Sequence, residues 1–521
     1  MGNAYIAGFF NDDIRLKKLT VNLGLRWDYE QPRTERYNRF STFDFEKPFP
    51  IQPAGMPQLR GVLTHPGRDG QPRGNYDAYR RAFGPRVGLA YRLDDKTVIR
   101  SGYGLFYMPR GGYPNAAQFG AAGFQIVTTW IASIDGITPA NPLSNPFPTG
   151  LLDPATSTAD QLQLGQAITI NPRYNKSNSY VQHWNFGIQK QVPGNLLLEA
   201  VYAGNQGVRL PASVQFNQVD PTYQSLGNRL SERVSNPFYG LTRTGVLSTP
   251  TITVAQLLRP FPQYGGIDSN LNHTASAKYH SLQLRAQKRM SRGMQFLATY
   301  TASKTIDSGS GRVVDFTTLR PPAQNAYNLR AERAVSQQDV SQRFNFSHTV
   351  DLPFGRGRKW LASAPGAILK LAGGWSATGG VVVTTGYPIA LTSPGNTGVF
   401  SASTRPDNIG RSAHRSGDVQ SRLTRFFDTS VFRMPAPYTF GNTGRTLPDV
   451  RGPGRRNYNV AVSKQTALKE HLALVFRAEA FNLTNTPYFR MPSTNLGAAD
   501  FGVISDSMGE RQCQFALRLV F

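Results

Sequence analysis

The sequence has a single cysteine, Cys513, and no long apolar run among its 521 residues. One cysteine cannot form an internal disulfide, so the fold does not depend on oxidation. A membrane-spanning helix needs about 18 to 20 apolar residues, and the nearest candidate, residues 361–371, contains Pro365 and Lys370. These absences exclude a disulfide scaffold and a bundle of transmembrane helices.

Signals of catalysis and of bound cofactors are also missing. The seven histidines show no HExxH or other metal-ligand spacing, and a lone cysteine excludes a cysteine-based zinc site. The sequence contains neither a GxxxxGK[ST] phosphate loop nor a GxSxG nucleophile elbow. We therefore expect no catalytic, cofactor-binding or metal-binding residues, and no enzymatic activity.

The net charge is strongly basic, with 57 Lys and Arg against 32 Asp and Glu, which gives a formal charge of +25. Basic proteins attract phosphate backbones, but a nucleic-acid-binding protein concentrates its charge on one patch or stripe. Here only the GRGRK segment, residues 355–359, is locally dense, and most other arginines are spaced singly. The distribution does not favour a nucleic-acid partner.

The most informative pattern is alternation of apolar and polar residues, which ends at the carboxyl terminus itself. Phe515, Leu517, Leu519 and Phe521 fall on one face of the last segment, and Arg518 falls on the other. A lipid-facing row backed by a water-facing row is typical of a transmembrane β-strand. The 31 Phe, 22 Tyr, 50 Gly and 36 Pro residues agree with a turn-rich, aromatic-rich β protein.

Alternating segments recur in pairs along the chain, and each pair before the fifth is joined by a tight polar turn. The predicted strands are residues 5–14 with 19–29, 83–93 with 97–107, 180–192 with 196–204, 279–290 with 294–304, 343–352 with 374–385, 458–464 with 471–482, and then 511–521. Several match the roughly 9 to 11 residues that cross a bilayer at a tilt. The sequence therefore predicts about thirteen strands, or fourteen if residues 425–440 contain another.

Long connections separate the pairs, notably residues 30–82, 108–179, 205–278 and 394–456. Such loops are uncommon in compact soluble domains, but outer-membrane barrels combine short periplasmic turns with long extracellular loops. We predict an all-β fold, an antiparallel transmembrane β-barrel in the outer membrane of a Gram-negative cell, with its carboxyl terminus in the periplasm. An odd strand count that begins outside the cell predicts that earlier strands are missing from this chain.

Several segments resemble the carboxyl-terminal barrel of TonB-dependent outer-membrane receptors, in particular the Oar-like group. The segments are FFNDDIRLKKLTVNLGLRWDYE, KTVIRSGYGLFY, HWNFGIQKQVPGNLLLEAVYAGNQG, FFDTSVFRMP, GNTGR, RGPG and FRAEAFNLTNTPYF. The resemblance implies a barrel of about 22 strands, an amino-terminal plug, a TonB box and a signal peptide. We expect residues 1–521 to be the carboxyl-terminal portion of such a barrel, with plug, box and leader absent.

The resemblance also implies function and partners. It implies uptake of a solute whose identity the sequence does not reveal, outer-membrane lipid around the barrel, and contact with the TonB complex only through the missing plug segment. It implies that the barrel assembly machinery reads the last strand at Phe515, Leu517, Leu519 and Phe521; the alternative is an ordinary final strand. A passive porin or a surface-binding adhesion barrel is the alternative function, because long external loops suit binding as well as transport.

Two further sets of residues follow from the strand faces. The predicted lumen-facing charged residues are Arg26, Arg86, Arg92, Arg100, Arg285, Arg343, Arg477, Glu479 and Arg518, accompanied by Asp351. They either attract anionic solutes and seat a plug, or merely solvate and brace a polar wall. The predicted interface aromatics, which could instead pack inside a soluble sandwich, are Trp27, Tyr29, Tyr91, Tyr103, Tyr107, Trp184, Tyr202, Tyr300 and Trp375.

Overall fold

The computed structural model of the chain describes most of its length. The described residues are 2–68, 70–109, 128, 130, 132–133, 137–148, 150–151, 163–170, 173, 178–242, 245–309, 323–395, 399–400, 404–469 and 471–521. Much of the predicted connection 108–179 lies outside these residues.

Thirteen antiparallel strands pair in chain order to form one large sheet. The strands are β1 (Tyr5–Leu16), β2 (Leu19–Glu30), β3 (Ala82–Asp94), β4 (Thr97–Tyr107), β5 (Tyr180–Val192), β6 (Leu196–Gln215), β7 (Gly266–Ser291), β8 (Met294–Asp307), β9 (Gln342–Asp351), β10 (Trp375–Thr384), β11 (Arg455–Lys469), β12 (Leu472–Phe481) and β13 (Gln512–Val520). The prediction of an all-β, antiparallel fold with about thirteen strands is confirmed.

The tight turns form where the sequence supplies residues that tolerate a left-handed backbone. Lys17 (φ 41°) lies between β1 and β2, Gly194 (φ 81°) and Asn195 (φ 58°) lie between β5 and β6, and Arg292 (φ 51°) precedes Gly293 (φ 77°) between β7 and β8. Glycine and asparagine enter this region at little cost, and turns with this geometry match the twist of a hairpin. These local signals contribute to the register of the three hairpins.

Two strands are much longer than predicted. β6 continues to Gln215 and β7 begins at Gly266, so that the two remain paired beyond the predicted limits at residues 204 and 279. The pairing shifts register three times between Ser269 and Ala277, as expected where β-bulges bend a strand pair. Polar and small residues in this stretch hide the alternation, which is why sequence patterns end the strands early.

The alternative of a fourteenth wall strand within residues 425–440 is wrong. A 3₁₀ turn, Thr429–Val431, occupies this segment, and Phe432–Arg433 pairs with Asp407–Asn408 in a separate two-stranded sheet. In the described part of the chain, the path of wall strands runs from β1 to β13, and each of these two terminal strands pairs along one edge only.

The remaining short elements lie in the long connections. Small strands pair Thr42–Pro48 with Arg60–Thr64, Arg233–Ser235 with Thr251–Thr253, Tyr488–Phe489 with Ser507–Met508, Ala167–Thr169 with β7, and Ala334–Val335 with β8. The α-helices are Val254–Leu257 and Gly366–Ala372, and the other 3₁₀ segments are Pro221–Ser231, Gly245–Leu247, Leu329–Glu332 and Gln420–Arg422. Within the described ranges, no helix is both long and apolar enough to cross a membrane.

Most of the buried hydrophobic residues lie in the connections, and fewer lie on the wall strands. One cluster contains Phe43, Phe49, Tyr264 and Ile267, and a second is built around Phe426, Phe427 and Ile389. A third cluster contains Val219, Leu230, Phe400 and Tyr438. All three draw on the long connections at the end of the sheet opposite the tight turns, and we call this packed region the loop layer.

Candidate functional site: the charged sheet face and the loop layer

The pairing register places all nine predicted lumen-facing residues on one face of the sheet. Residues directly opposite each other in an antiparallel pair share a face. Arg26 lies opposite Gly84, Arg86 opposite Gly24, and Arg100 opposite Ala90. The same parity continues across β5 to β13, where Arg285 faces Glu199, Arg343 faces Thr301, Arg477 faces Ala516, Glu479 faces Gln514 and Arg518 faces Val475. Arg92 lies on this face two positions after Ala90.

Four of these arginines bind a polar residue two positions further along their own strand. Arg26 donates from Nε to Asp28 at 2.8 Å, and Arg477 donates from Nε and Nη2 to Glu479 Oε1 at 2.8 and 2.6 Å. Arg285 bonds Gln287 at 2.6 Å and Arg343 bonds Asn345 at 3.3 Å. Side chains at i and i+2 share a face of a strand, so each strand supplies its own partner. The sequence patterns did not identify Asp28, Gln287 and Asn345 as partners of these arginines, although this spacing was readable.

Contacts between strands are fewer. Arg26 also donates to the hydroxyl of Tyr5, at 3.3 Å, and that hydroxyl donates to Asp28 at 2.5 Å. Arg285 approaches Glu199 of β6 at 3.7 Å, and the guanidinium of Arg86 lies 4.7 Å from the ring centre of Phe106. Asp351, at the end of β9, pairs with Arg358 at 3.1 Å. Within the described residues, no ion pair involves Arg92, Arg100 or Arg518.

The energetic value of these pairs is small because they remain open to solvent. The side chain of Arg477 is 49% exposed and that of Arg285 is 43% exposed. Exposed ion pairs contribute at most about 1 kcal/mol each. The charged face thus contains arginines that are paired with a neighbouring side chain and arginines that are in no described ion pair. Positive side chains outnumber negative ones on this face.

The nine predicted interface aromatics all lie on the opposite face, among leucines and valines. Trp27 shares the face with Leu25, and Tyr91 with Leu89. Trp184 lies opposite Tyr103, Tyr202 opposite Phe186, and Tyr300 opposite Leu284. Tyr29 and Tyr107 continue the rows of Trp27 and Tyr103, and Trp375 lies opposite Lys464.

The nine aromatic residues lie at different heights between the turn end of the sheet and the loop layer. Tyr91 and Trp375 lie next to the turn end of the sheet, whereas Trp27, Tyr29 and Tyr107 lie next to the loop layer, and Trp184 lies at the height of Tyr103. Tyr103, Tyr202 and Tyr300 form an intermediate row, because each lies six positions after the first residue of its strand. Several have polar partners at the ring edge, for example Trp27, whose Nε1 donates to Arg80 O at 2.9 Å.

Phe515, Leu517, Leu519 and Phe521 lie on this apolar side at the free edge of β13. Phe515 faces Ala478, Leu517 faces Phe476, and Leu519 faces Leu474. All four are strongly exposed, with Phe521 at 93%. Cys513 is exposed on the same face. The register therefore presents a continuous apolar row along the last strand.

The loop layer contains a buried ionic network that the sequence analysis did not anticipate. Arg405 donates to both carboxylate oxygens of Glu332, at 2.7 and 3.3 Å, and each side chain is only 9% exposed. Arg445 binds the carboxylate of Asp307 and donates from Nε to Glu332 O at 3.1 Å. Arg451 binds the fully buried carboxylate of Asp339. These pairs join the connection after β10 to the segment between β8 and β9.

Two buried glutamines cross-link the same loops. Gln218 donates from Nε2 to Gln324 O at 2.9 Å and to Phe400 O at 2.5 Å. Gln324 donates to Gly441 O at 2.9 Å and accepts from the amide of Arg405 at 2.9 Å. A Cβ on Gly441 would come within 1.8 Å of Arg405 O, so this close approach needs glycine.

Burial shifts the pKa of two charged groups in the loop layer. It lowers the pKa of Arg259, which precedes β7, and raises the pKa of Asp268, in the stretch of β7 that lies beyond the predicted bilayer span. Asp268 accepts a hydrogen bond from Gln215 Nε2 at 2.9 Å. By contrast, the exposed Asp220 has a lowered pKa because the amide and the hydroxyl of Thr222 donate to it.

The long connections are internally packed, which the sequence patterns did not predict. The available signals were the paired phenylalanines at 426–427 and the FDF segment at 43–45, which solvated loops have no reason to contain. In the part of the chain that the structure describes, no group of three His, Cys, Asp or Glu side chains is arranged to hold a metal ion.

Comparisons with known proteins agree with this architecture. The family model described as an outer membrane beta barrel domain matches residues 2–514. No curated protein matches the sequence.

Among solved structures, the chain is similar to the ferripyoverdine receptor of the outer membrane of Pseudomonas aeruginosa, with 10% identity over 100% of this chain and 39% of that one, and a TM-score of 0.40. It is similar to the ferric-catecholate import receptor Fiu from K12 E. coli, with 10% identity over 99% and 44% of the two chains, and a TM-score of 0.39. It is also similar to BauA, the ferric preacinetobactin receptor from Acinetobacter baumannii, with 10% identity over 99% of this chain and 42% of that one, and a TM-score of 0.39. The chain spans less than half the length of each.

Proposed function

The chain belongs to the outer membrane beta barrel domain family, and from this membership we propose that it forms the wall of a TonB-dependent receptor that takes up a solute across the outer membrane. The observation that carries the proposal is the pairing register. Across the thirteen strands, the predicted lumen-facing arginines and Glu479 share one face, and the side chains of the other face are mostly aliphatic and aromatic. The resemblance of the strand and loop segments to receptor barrels supports the choice of receptor class.

In this proposal the two faces meet different solvents. The aliphatic and aromatic face contacts lipid, because exposed apolar side chains gain most there, and the charged face lines a water-filled lumen. The tight turns and the carboxyl terminus lie in the periplasm, and the loop layer lies outside the cell. The row from Phe515 to Phe521 is read by the barrel assembly machinery.

The charged face has a role that fits a gated receptor. Its unpaired arginines attract anionic groups, either of a solute or of carboxylates on a plug seated in the lumen. The TonB complex would act through that plug, and the wall would supply the positive field and the external binding surface.

A strain in which the gene is disrupted, compared with one that lacks TonB, tests the proposal. Both are grown on panels of iron complexes, peptides and saccharides as sole sources. A receptor predicts that the gene disruption loses growth on at least one solute that the strain lacking TonB also fails to use. Loss of growth on a solute that needs no TonB would overturn the receptor assignment.

The packed loop layer favours a second candidate, a surface-binding or passive barrel. Preformed loops bind ligands with a smaller ordering cost than flexible ones. A passive barrel predicts solute uptake without TonB, and an adhesin predicts that loop substitutions abolish surface binding while uptake of every tested solute stays normal.

A further inference from the structure

Three basic side chains lie together on the apolar face, where the sheet meets the loop layer. His280 of β7 is directly opposite Lys304 of β8, and Lys278 precedes His280 by two positions on the same strand. All three are exposed. They share the face of Leu282 and Leu284, because side chains two positions apart along a strand point the same way.

Their height corresponds to the outer edge of the proposed membrane span. The turn between β7 and β8 closes at Ser291 and Met294. His280 lies eleven positions before Ser291, and Lys304 lies ten positions after Met294. Since about 9 to 11 residues cross the hydrocarbon, these side chains reach the lipid headgroups.

The cluster has no acidic partner in the described part of the chain. The nearby carboxylates are already engaged, Asp307 with Arg445 and Asp339 with Arg451. Lys278 and Lys304 are diagonal neighbours across the strand pair, so an external anion would relieve the repulsion between their two ammonium groups. Lys288, on the same face at the turn end, differs because it donates to Gly194 O and Ser291 Oγ at 2.7 Å.

Neighbouring aromatic residues hold the imidazole in place. The hydroxyl of Tyr202 lies 2.7 Å from Nδ1 of His280, and the two rings stack at 6.1 Å. With the hydroxyl donating to Nδ1, the proton of a neutral imidazole is on Nε2, which becomes a donor beside the lysines. Trp184 lies 6.0 Å from the same ring, across Gly204, where a Cβ would come within 2.6 Å of the indole.

We propose that Lys278, His280 and Lys304 bind the phosphate group of an anionic lipid in the outer leaflet, with Trp184 and Tyr202 flanking it. The inference rests on the proposed function only for the identity of the lipid-facing side and its outward end. Charge complementarity selects the occupant: two ammonium groups and an imidazole N–H donate, and a phosphate monoester accepts. The adjoining leucine row accommodates its acyl chains.

The test uses the purified full chain, folded in detergent and titrated with bisphosphorylated lipid A, with the same lipid after removal of its phosphates, and with inorganic phosphate. Native mass spectrometry measures bound lipid. We expect preference for the phosphorylated lipid, and about 30-fold weaker binding by the Lys278→Gln/Lys304→Gln double variant, as two surface cations imply. The Lys278→Arg/Lys304→Arg variant should retain binding.

The control is Lys190→Gln, which removes one charge from the same face at the turn end and should leave lipid A binding unchanged. Equal binding of the two lipids by the unaltered chain, or unaltered binding by the double Gln variant, would overturn the proposal. Inorganic phosphate that binds as tightly as the lipid would overturn the lipid as the occupant. TonB-dependent uptake is scored separately in cells, so either idea can fail while the other stands.

Discussion

At the residue scale, the loop layer depends on charges that are buried in pairs. Arg405 and Glu332 exclude water almost completely, whereas Arg60 and Glu46, also in a long connection and 3.0 Å apart, are 57% and 80% exposed. A buried pair contributes little beyond an apolar substitute, but removal of one partner leaves an uncompensated charge. The two pairs have similar distances, but removal of one partner should cost more stability in the buried pair than in the exposed pair.

Glu332→Gln should loosen the loop layer, because the guanidinium of Arg405 would stay buried without its counter-charge. The expected cost is about 3 to 5 kcal/mol of local stability. Faster hydrogen exchange in residues 323–335 and 404–445 would report it. The matched control is Glu46→Gln, which should cost less than about 1 kcal/mol. Similar effects of the two substitutions would contradict the importance of burial.

Asp268 gives the loop layer a pH dependence of defined sign. Its pKa is raised in the folded state by burial, so its contribution to stability is complete below the unfolded value of about 3.9 and is lost as pH rises through the folded pKa. Asp268→Asn should therefore raise the thermal transition of the loops at pH 7, and not at pH values below that unfolded value. Near-ultraviolet circular dichroism measures this transition.

Asp220→Asn serves as a control, because its effect on the thermal transition at pH 7 should have the opposite sign. The pKa of Asp220 is lowered because Thr222 donates to its carboxylate, so that contribution is present above the unfolded value and lost as pH falls through the folded pKa. Its substitution should lower the transition at pH 7. Two changes of the same sign at pH 7 would contradict the assignment.

At the element scale, β1 and β13 each have a free outer edge in the described sheet, and β13 carries an exposed apolar row beside its edge. β13 pairs with β12 only in the described sheet, and Phe521 extends past it with 93% of its surface exposed. An exposed apolar edge is an aggregation hazard unless another strand or a partner covers it. Recognition of this strand during assembly would explain why the hazard is tolerated.

Phe521→Ser should reduce the fraction of chain that forms a heat-resistant barrel in the outer membrane, because it removes the end of the apolar row. Semi-native gel electrophoresis of membrane fractions measures this fraction. Tyr37→Ser is the control, since it removes an exposed aromatic from a loop. An unchanged heat-resistant fraction for Phe521→Ser would remove support for an assembly signal.

At the scale of the whole molecule, the loop layer and the tight turns lie at opposite ends of the sheet, and this asymmetry predicts an orientation in the membrane. Long loops outside and short turns in the periplasm are the usual arrangement of outer-membrane barrels. The clusters around Phe43 and Phe427 pack the connections at the loop end. In the proposed function, this end would present the surface that binds a solute.

Single cysteines in a Cys513→Ser background should reveal this orientation. Ser416→Cys in the loop layer should react with a membrane-impermeant maleimide in intact cells. Asp95→Cys, in the turn between β3 and β4, should react only after the outer membrane is permeabilised. The reversed labelling pattern would show that the barrel is inserted the other way, and labelling of both sites would indicate a leaky membrane.

Strand content, strand faces and tight turns were readable from the sequence, because each depends on neighbours within a few positions. A period of two places Arg26 and Trp27 on opposite sides of β2 whatever the rest of the chain does. The residues of the charged face and the aromatic rows were readable for the same reason, and their function as lumen and interface remains a prediction.

Only the tertiary structure decided the loop layer, the extension of β6 and β7, and the grouping of Lys278, His280 and Lys304. Gln218 reaches Phe400 across 182 positions, and Arg405 finds Glu332 across 73. Such contacts have no period and no local signal, because their energy comes from excluding water between segments that the fold brings together. Alternation along the chain thus determined the two faces of the sheet, and burial between distant segments determined the loop layer at its end.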